Sequence, residues 1–544
     1  MYTECNQFFY FIKLNFFLFV LICLIIYYHF FTMDYALSTE EYNTAIKHRI
    51  INVATKKISD DSYLNKIKCQ FSDSYVTIAN IFKNYQYYID DENEIVVKGW
   101  IQSSRKQSNN IFIQLYDGSH ANNLQIIFDT NLILDAITNL YTGTTIMVTG
   151  KIVTSPAQGQ PFEMVGQQIN IIGSISDPAT YLPCVKGIKL ENLRDKAHIR
   201  PKFQSMRAIY RIRNYVIQGL HQFFKLHNCF QLDPNVVTTS DCEGAGEVFT
   251  ITTQFNDLKS NNLTVDFSKD FFNKQAFLTV SSQLQLEALC AGMAKVYTVN
   301  PSFRAEPSQT NRHVACFTHV EWELAFIDLK QLLDFNEDVV SYVIAYVLDN
   351  AMEDLTVLDK FVSKGIINKL KSTLDEPFIR ITYTDALHIL NEHIDDLQKK
   401  YPEFKMPEWG DDLGSNCERY LSDVIYKKPV LVYNYPRILK SFYMKQNDDE
   451  PRTVQSCDLL IPGVGEVIGS SVREDNYDKL ISVMKDKLMK TEPLQWYLDL
   501  RKDATFPHGG AGLGMDRLVA YCTFMEGSIR DVIPFPVAYE FCNY

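Results

Sequence analysis

Residues 301–326, which read PSFRAEPSQTNRHVACFTHVEWELAF, place opposed charges at spacings that suit nucleotide chemistry. Two stretches that alternate like β-strands flank a polar middle, and this pattern predicts a hairpin with a long loop. Arg304 can neutralise a phosphate, Glu306 can accept from an amino group, and Phe317 can stack on a base. The alternative is a solvent-facing hairpin with cross-strand ion pairs, which is the commoner outcome for an arbitrary hairpin.

Each predicted strand of the hairpin has a polar face. Residues two apart point the same way in a strand, so Arg304 and Glu306 share one face. The loop at 307–316 adds two further cationic or titratable groups, Arg312 and His313. The return strand places an aromatic ring, an imidazole and two carboxylates together: Phe317, His319, Glu321 and Glu323.

A second candidate phosphate site lies at residues 509–521, GGAGLGMDRLVAY. The pattern predicts a glycine-rich loop that runs into an apolar helix, with Arg517 in its first turn. Glycines such as Gly512 and Gly514 allow a phosphate to approach the backbone, and a helix start favours anions. The stretch matches neither the P-loop nor the dinucleotide-binding fingerprint.

The elements that must position these residues fall into two groups. Five short β-runs separated by turn signals predict a small barrel, at 93–101, 111–117, 123–129, 144–153 and 162–173. Beyond a proline-containing linker, amphipathic helices are predicted over 203–227 and 476–490. Strand-like runs follow at 277–281, 295–299, 320–328 and 430–436. Because helices and strands do not alternate regularly, the pattern favours an α+β fold over a doubly wound α/β fold.

Composition narrows the class of protein. The 544 residues are 46% apolar, enough for at least two domains with cores, and the net charge is −12. An acidic chain can still bind nucleic acid through a local basic patch, for which the barrel offers Lys98, Arg105, Lys106 and Lys151. The twelve cysteines form no C-x-x-C pair, which argues against a zinc knuckle and indicates reduced thiols in an intracellular protein.

The N-terminus is unusual because residues 16–31 are almost wholly apolar. Three interpretations stay open: a membrane anchor, a signal sequence, or sequence upstream of a true start at Met33. No small-residue cleavage site follows the apolar run. An association with a membrane is expected only if residues 1–32 are translated and retained.

Together these pieces resemble the class II aminoacyl-tRNA synthetases of the aspartate, asparagine and lysine subgroup. The class-defining motifs are matched at 230–249, with Pro234 near its usual place, at 303–306 with 312–323, and at 510–518. The resemblance implies an α+β protein with an N-terminal OB-fold β-barrel and a class II catalytic domain, an antiparallel sheet flanked by helices. The implied parts are a hydrophobic segment (1–32), an extension (33–89), an OB-fold anticodon-binding domain (90–180), a hinge (181–205) and a catalytic domain (206–544).

Within the subgroup the chain is most similar to the asparagine-specific members. The supporting stretches are 238–253, 278–289, 435–474 and 529–536. Aspartate-specific members carry a lysine at the position of Leu286, where a substrate carboxylate needs a cation. A neutral carboxamide would leave such a lysine buried without a partner, at a cost of several kcal/mol. The expected reaction is ATP-dependent activation of L-asparagine and its transfer to tRNA(Asn).

The resemblance also assigns roles to individual residues. For ATP, Arg304 would hold the α-phosphate, Glu306 would read the adenine amino group, and Phe317 and Arg517 would enclose adenine. Arg312 and His313 would contact the outer phosphates or the tRNA acceptor end. The other residues implied at the ATP site are Glu466, Gly512 and Gly514. Arg304, Arg517 and Glu466 would be catalytic through positioning and electrostatics, without a general base.

For asparagine, Arg473 would meet the side-chain carbonyl, and Glu321 would accept from the side-chain amide or the α-amino group. Ser281 and Gln283 would shape the same pocket. For Mg²⁺, Glu466 is the implied ligand and Asp458 a second one, although Asp458 could equally be a structural hydrogen-bonding residue. The implied anticodon-reading residues in the barrel are Phe112, Gln125 and Glu163.

A cytoplasmic homodimer is expected by resemblance, with the 203–236 region at the interface. Three departures from the family pattern touch the expected active site: Cys316 and the Asn416-Cys417 pair replace acidic or histidine positions, and Ser470 replaces a glycine. They keep open a tRNA-binding paralogue without activity. An aspartate-charging enzyme is disfavoured by Leu286, and an asparagine synthetase built on the same fold is disfavoured by the barrel.

Overall fold

The computed structural model describes residues 73–133, 137–185, 187–240, 248–255, 265–523 and 528–544. The predicted N-terminal apolar segment and most of the extension lie outside these ranges. No helix within them is long and apolar enough to cross a membrane. The eight cysteines of the described ranges are all free thiols, as predicted for that part of the chain.

The first group of strands closes into a five-stranded barrel, as the turn spacing predicts. Its strands are β1 (Ile95–Gln107), β2 (Asn110–Tyr116), β3 (Leu124–Asp129), β4 (Thr145–Thr154) and β5 (Phe162–Gly173), in the order β1-β2-β3-β5-β4. Strand alternation directs Ile111, Ile113 and Leu115 of β2 into the core. Phe112 and Gln114 therefore lie on the outer surface. Helix α1 (Ile78–Asp91) packs against β4.

The second group builds an eight-stranded, mostly antiparallel sheet with the order β12-β13-β14-β15-β16-β11-β10-β6. The bounds are β6 (Phe230–Gln231), β10 (Lys295–Phe303), β11 (Cys316–Ala325), β12 (Ile379–Thr382), β13 (Val430–Tyr433), β14 (Ser456–Ile461), β15 (Gly465–Val472) and β16 (His508–Gly514). A small sheet in the order β7-β9-β8 joins β7 (Val237–Thr238), β8 (Thr250–Ile251) and β9 (Ala276–Leu278).

Helices cover the large sheet. They are α2 (Gln204–Leu226), α3 (Gln283–Met293), α4 (Leu329–Asn350), α5 (Met352–Phe361), α6 (Ile366–Thr373), α7 (Tyr383–Glu392), α8 (Ile394–Lys400), α9 (Gly414–Arg419), α10 (Tyr477–Asp486), α11 (Gln495–Lys502) and α12 (Met515–Thr523). The apolar sides of α2 and α4 share one core with β11, where Phe224 lies 5.7 Å from Trp322, measured between ring centroids.

Two local predictions are wrong. The glycine-rich stretch is not a loop: residues 508–514 form β16, the strand between β15 and β11. Paired neighbours on both sides satisfy its backbone, which glycine content alone does not reveal. The strand β10 ends at Phe303, so Arg304 and Glu306 lie in the loop beyond it and not on a strand face.

Candidate active site

One face of β11 packs into the hydrophobic core, and the other carries the polar side chains of the candidate site. Val320, Trp322 and Leu324 enter the core shared with α2 and α4. The alternate residues His319, Glu321 and Glu323 are also buried, but they face polar groups. Burying carboxylates is costly unless they are paired or hydrogen-bonded, so their partners define the site.

Arg304, Glu306 and Phe317 lie together at the open end of the hairpin. The Arg304 guanidinium is 5.6 Å from the centroid of the Phe317 ring, and its Nη1 is 3.9 Å from Glu306 Oε1. A hydrogen bond from the Arg304 amide to the Ala315 carbonyl closes the base of the loop. The predicted grouping of cation, carboxylate and ring is therefore present, although it is built by a loop.

Arg312 and His313 lie on that loop. His313 Nδ1 is 3.1 Å from Ser308 Oγ, and its Nε2 is 3.8 Å from Glu306 Oε2. Burial lowers the pKa of His313, so the ring is neutral near pH 7 in the absence of a bound anion. Burial and the nearby Arg419 and Arg517 lower the pKa of Arg312, which marks a crowding of positive charge that an anion would relieve. A cavity of about 260 Å³ beside this loop is lined by Arg312, His313 and Arg419.

The strand β16 forms the adjoining floor. A Cβ atom on Gly512 would overlap His319 Nε2, and one on Gly510 would overlap the Trp322 carbonyl oxygen. With these neighbours in place, both positions require glycine for packing and not for loop flexibility. Gly514 ends the strand, and Arg517 follows in the first turn of α12, where its Nη1 donates to the Glu466 carbonyl at 2.6 Å.

Acidic residues from β14, β15 and α9 gather next to Arg517. Glu466 is the most accessible, with 41% of its side chain exposed. Asp458 is tied to Lys440, whose Nζ donates to Asp458 Oδ2 at 2.6 Å. Burial, then the carboxylates of Glu466 and Asp458, raise the pKa of Glu418 to about 7. Within the described ranges, no three His, Cys, Asp or Glu side chains are arranged to hold a metal ion.

At the other end of the pocket, Glu321 is hydrogen-bonded to the two residues that directly precede α3. It accepts from Ser281 Oγ at 2.5 Å and from the Ser282 amide at 2.9 Å. The basic side chain beside it is His319, with Nδ1 at 3.6 Å, and burial lowers the pKa of that ring. The Glu321 carboxylate thus has hydrogen-bond donors but no ionised partner among the pairs found in the described part of the chain.

Arg473 belongs to a buried network that the sequence does not reveal. It donates to Glu323 Oε2 at 2.9 Å, and its Nε lies 3.8 Å from Glu287 Oε1. Glu287 in turn accepts from Gln283 at 2.9 Å and pairs with Arg501. The network is completed by Tyr497 and His508, which lie 2.8 and 3.1 Å from Glu287 Oε2. Although burial opposes it, the carboxylates raise the pKa of Arg473.

Leu286 is fully buried among Cys290, Val296 and Ala325. This position of α3 therefore supplies no cation to the pocket. Two residues that depart from the family pattern are accommodated by the fold. Ser470 Oγ accepts from Asn336 Nδ2 and donates to the Cys457 carbonyl, each at 2.9 Å. Cys417 is buried in an apolar cluster. Cys316 is the first residue of β11 and directly precedes Phe317.

The barrel residues Gln125 and Glu163 lie together, with Gln125 half-buried and Glu163 buried. Gln125 Nε2 donates to Glu163 Oε2 at 3.0 Å and its Oε1 accepts from Gln114 at 3.1 Å. Phe112 is on the same strand as Gln114, and the Arg105 guanidinium lies 5.1 Å from its ring centroid. Ring, amides and carboxylate therefore form one polar and aromatic strip.

Family models match both parts of the chain. Residues 190–538 match the class II tRNA synthetases (D, K and N), and residues 95–172 match the OB-fold nucleic acid binding domain.

Relatives of known name match nearly the whole catalytic and barrel region. Asparagine–tRNA ligase of Cytophaga hutchinsonii is 41% identical over 85% of this chain and 98% of its own length, and that of Clostridium tetani is 42% identical with the same coverage. Among solved structures, asparaginyl-tRNA synthetase from Pyrococcus horikoshii complexed with asparaginyl-adenylate superposes with a TM-score of 0.72 at 29% identity, covering 86% of this chain and 99% of that one.

Proposed function

This chain belongs to the class II tRNA synthetases of the D, K and N group, and from that membership we propose how its active site performs the asparagine–tRNA ligase reaction. Asparagine and ATP give bound asparaginyl-adenylate and diphosphate. The asparaginyl group then passes to tRNA(Asn), and AMP is released. The prediction of fold and reaction from the sequence motifs agrees with these relatives.

The observation that carries the amino-acid assignment is the charge balance of the pocket. Among the described residues, Glu321 is a buried carboxylate without an ionised partner, which suits the α-ammonium of an amino acid. The guanidinium of Arg473 is already paired with Glu323. A substrate carboxylate would have to compete with Glu323 for that cation, whereas a neutral carboxamide can accept a hydrogen bond from Arg473 without disturbing the pair.

For ATP, Arg304 neutralises the α-phosphate as the asparagine carboxylate attacks it. Phe317 stacks on adenine, Glu306 accepts from the adenine amino group, and Arg517 covers the other face of the ring. Arg312 and His313 contact the outer phosphates, where their crowded positive charge is relieved. Rate enhancement comes from positioning and electrostatics, with His313 and Arg517 held by hydrogen bonds to Ser308 and to the Glu466 carbonyl.

Magnesium, when bound, neutralises phosphate charge and orients the outer phosphates. Mg²⁺ at nucleotide sites commonly uses one or two carboxylates, with phosphate oxygens and water completing its shell. Glu466 fits this role because it is accessible beside Arg517. Asp458 fits less well, since Lys440 already occupies one of its oxygens.

The barrel reads the anticodon with Phe112, Gln125 and Glu163, stacking one base on the ring and contacting base edges with the polar pair. A cytoplasmic homodimer through the 203–236 region is the corresponding assembly. Phe230, which is 53% exposed at the sheet edge, supports an apolar contact there.

The test is ATP–diphosphate exchange on the full chain with asparagine and aspartate run side by side. We expect exchange with asparagine only. Exchange with aspartate would contradict the charge-balance argument, and folded protein that exchanges with neither would favour the inactive tRNA-binding paralogue. In that last case Cys316→Glu is the first variant to test for recovery of activity.

A further inference from the structure

Helix α2 carries three arginines that leave it in two directions. Arg207 and Arg211 are four residues apart and share one side of the helix. Arg213 is two residues further along, about 200° round the axis. The helix therefore presents cations to two different parts of the molecule from within two turns.

Arg207 and Arg211 hold the barrel. The Arg207 guanidinium lies 3.5 Å from the centroid of the Tyr116 ring, and its Nη2 donates to Gln102 Oε1 at 2.7 Å. Arg211 Nη1 donates to the Gly118 carbonyl at 3.0 Å, in the turn that follows β2, while its Nη2 pairs with Asp354 of α5 at 2.7 Å. Both arginines therefore contact the barrel, and none of these partners is an ATP-site residue.

Arg213 faces the ATP site instead. Its Nη1 donates to Asp516 Oδ1 at 2.5 Å and its Nη2 donates to Thr318 Oγ1 at 3.1 Å. The second oxygen of Asp516 accepts from the Thr318 amide at 3.0 Å. The side chain of Asp516 is only 3% exposed, so its pairing with Arg213 offsets the cost of burying the carboxylate.

This triangle fixes the two residues assigned to adenine. Thr318 directly follows Phe317 on β11, and Asp516 directly precedes Arg517 on α12. Asp516, at the start of α12, accepts a hydrogen bond from Thr318 of β11, and Arg213 donates to both of these residues. The separation between the Phe317 ring and the Arg517 guanidinium therefore depends on a residue that lies next to the barrel contacts on α2.

We propose that Arg213 is a positioning residue for ATP activation, which acts through Asp516 and Thr318 to hold Phe317 and Arg517 at the spacing of an adenine ring. The inference rests on the proposed function of those two residues. It assigns Arg211, two positions earlier, to its contacts with the barrel turn and with Asp354 of α5, and not to ATP positioning.

The experiment compares Arg213→Gln with Arg211→Gln in the full chain. For Arg213→Gln we expect the KM for ATP in exchange to rise on the order of 10- to 100-fold, with weaker calorimetric binding of a non-hydrolysable ATP analogue and an unchanged KM for asparagine. Arg213→Lys, which retains the charge but not the two-pronged contact, should recover part of the affinity. Arg211→Gln should keep the KM for ATP and raise only the KM for tRNA.

Two results would overturn the inference: analogue binding by folded Arg213→Gln equal to that of the original protein, or an equal loss of ATP affinity in Arg211→Gln. If Arg213→Gln does not fold, Thr318→Val decides, because it removes one acceptor and leaves Asp516 paired. An unchanged KM for ATP in Thr318→Val would then count against the proposal. Failure of the proposed function is separable, since it would abolish asparagine-dependent exchange in the original protein while analogue binding still reports on Arg213.

Discussion

Arg304 is the residue proposed to contact the α-phosphate during activation. Replacing it with alanine removes the cation proposed for the α-phosphate, so Arg304→Ala should lower exchange by on the order of 100- to 1,000-fold. Thermal unfolding should change little, because the Arg304 side chain is 34% exposed.

Arg437→Ala is the matched control for that variant. Its side chain is as exposed as that of Arg304, at 34%, and it pairs with Asp486 at the end of α10. Exchange should be normal in this control. Near-normal exchange in Arg304→Ala would contradict the role of Arg304.

Glu418 makes stability depend on pH. Its pKa rises from an ordinary 4.5 to about 7 because of burial and neighbouring carboxylates. The folded state therefore binds the proton more tightly than the unfolded state does. This stabilising contribution is fully present below about pH 4.5 and is lost as pH rises through about 7, up to about 3 kcal/mol.

Glu418→Gln should remove this dependence. In Mg²⁺-free buffer, denaturant titrations should show the variant gaining stability over the original protein at about pH 8 but not at about pH 4.5. Parallel curves for the two proteins across this range would show that Glu418 titrates normally.

For individual residues, the sequence predicts the charged groups at the proposed substrate site better than the buried charged groups that pair with one another behind it. Arg304, Glu306 and Phe317 lie together, as the motifs imply. Glu287 is not foreseen, because a glutamate within LQLEALC reads as the polar side of a helix. Only the tertiary contacts with Arg473 and Arg501 show it to be buried and paired.

Helices and strands that are determined by local sequence signals are predicted correctly, whereas an element that depends on distant parts of the chain is not. α2 and four of the five barrel strands are predicted within a residue or two, since turn signals and helical periodicity are local, whereas β1 runs six residues past its predicted end at 101. β16 is predicted as a loop because seven residues with four glycines have little strand propensity. Its neighbours β11 and β15 come from distant parts of the chain, and they supply the pairing that overrides propensity.

Glycine substitutions test this account of β16. In Gly510→Ala the methyl group would overlap Glu323 Oε2 and the Trp322 carbonyl, so we expect a loss of about 3 kcal/mol or more in unfolding free energy. The KM for asparagine should rise as well, because Glu323 holds Arg473.

Gly292→Ala, in the exposed last turn of α3, has no atom within 4 Å of the added carbon. It should stabilise the protein by about 0.5–1 kcal/mol. Chemical denaturation measures both variants. Equal effects from the two would indicate that β16 has room for a side chain.

Across the whole molecule, the two parts should contribute to different steps. Phe112→Ala removes the ring proposed to stack on an anticodon base, so the KM for tRNA should rise on the order of 10-fold while ATP–diphosphate exchange is unchanged. Gln167→Ala, an exposed change on β5 of the same barrel, should leave both values as they are. A fall in exchange for Phe112→Ala would instead indicate damage to folding.

The crowding at β16 also sets the order in which descendants of this sequence can change. Gly512 is obstructed by a side chain, so a lineage could accept alanine there only after His319 had been replaced by something smaller. Gly510 is obstructed by the Trp322 carbonyl, which every amino acid carries. No earlier side-chain substitution would make alanine acceptable at Gly510. Gly512 can therefore change in a descendant sequence after a first substitution at His319, whereas Gly510 cannot.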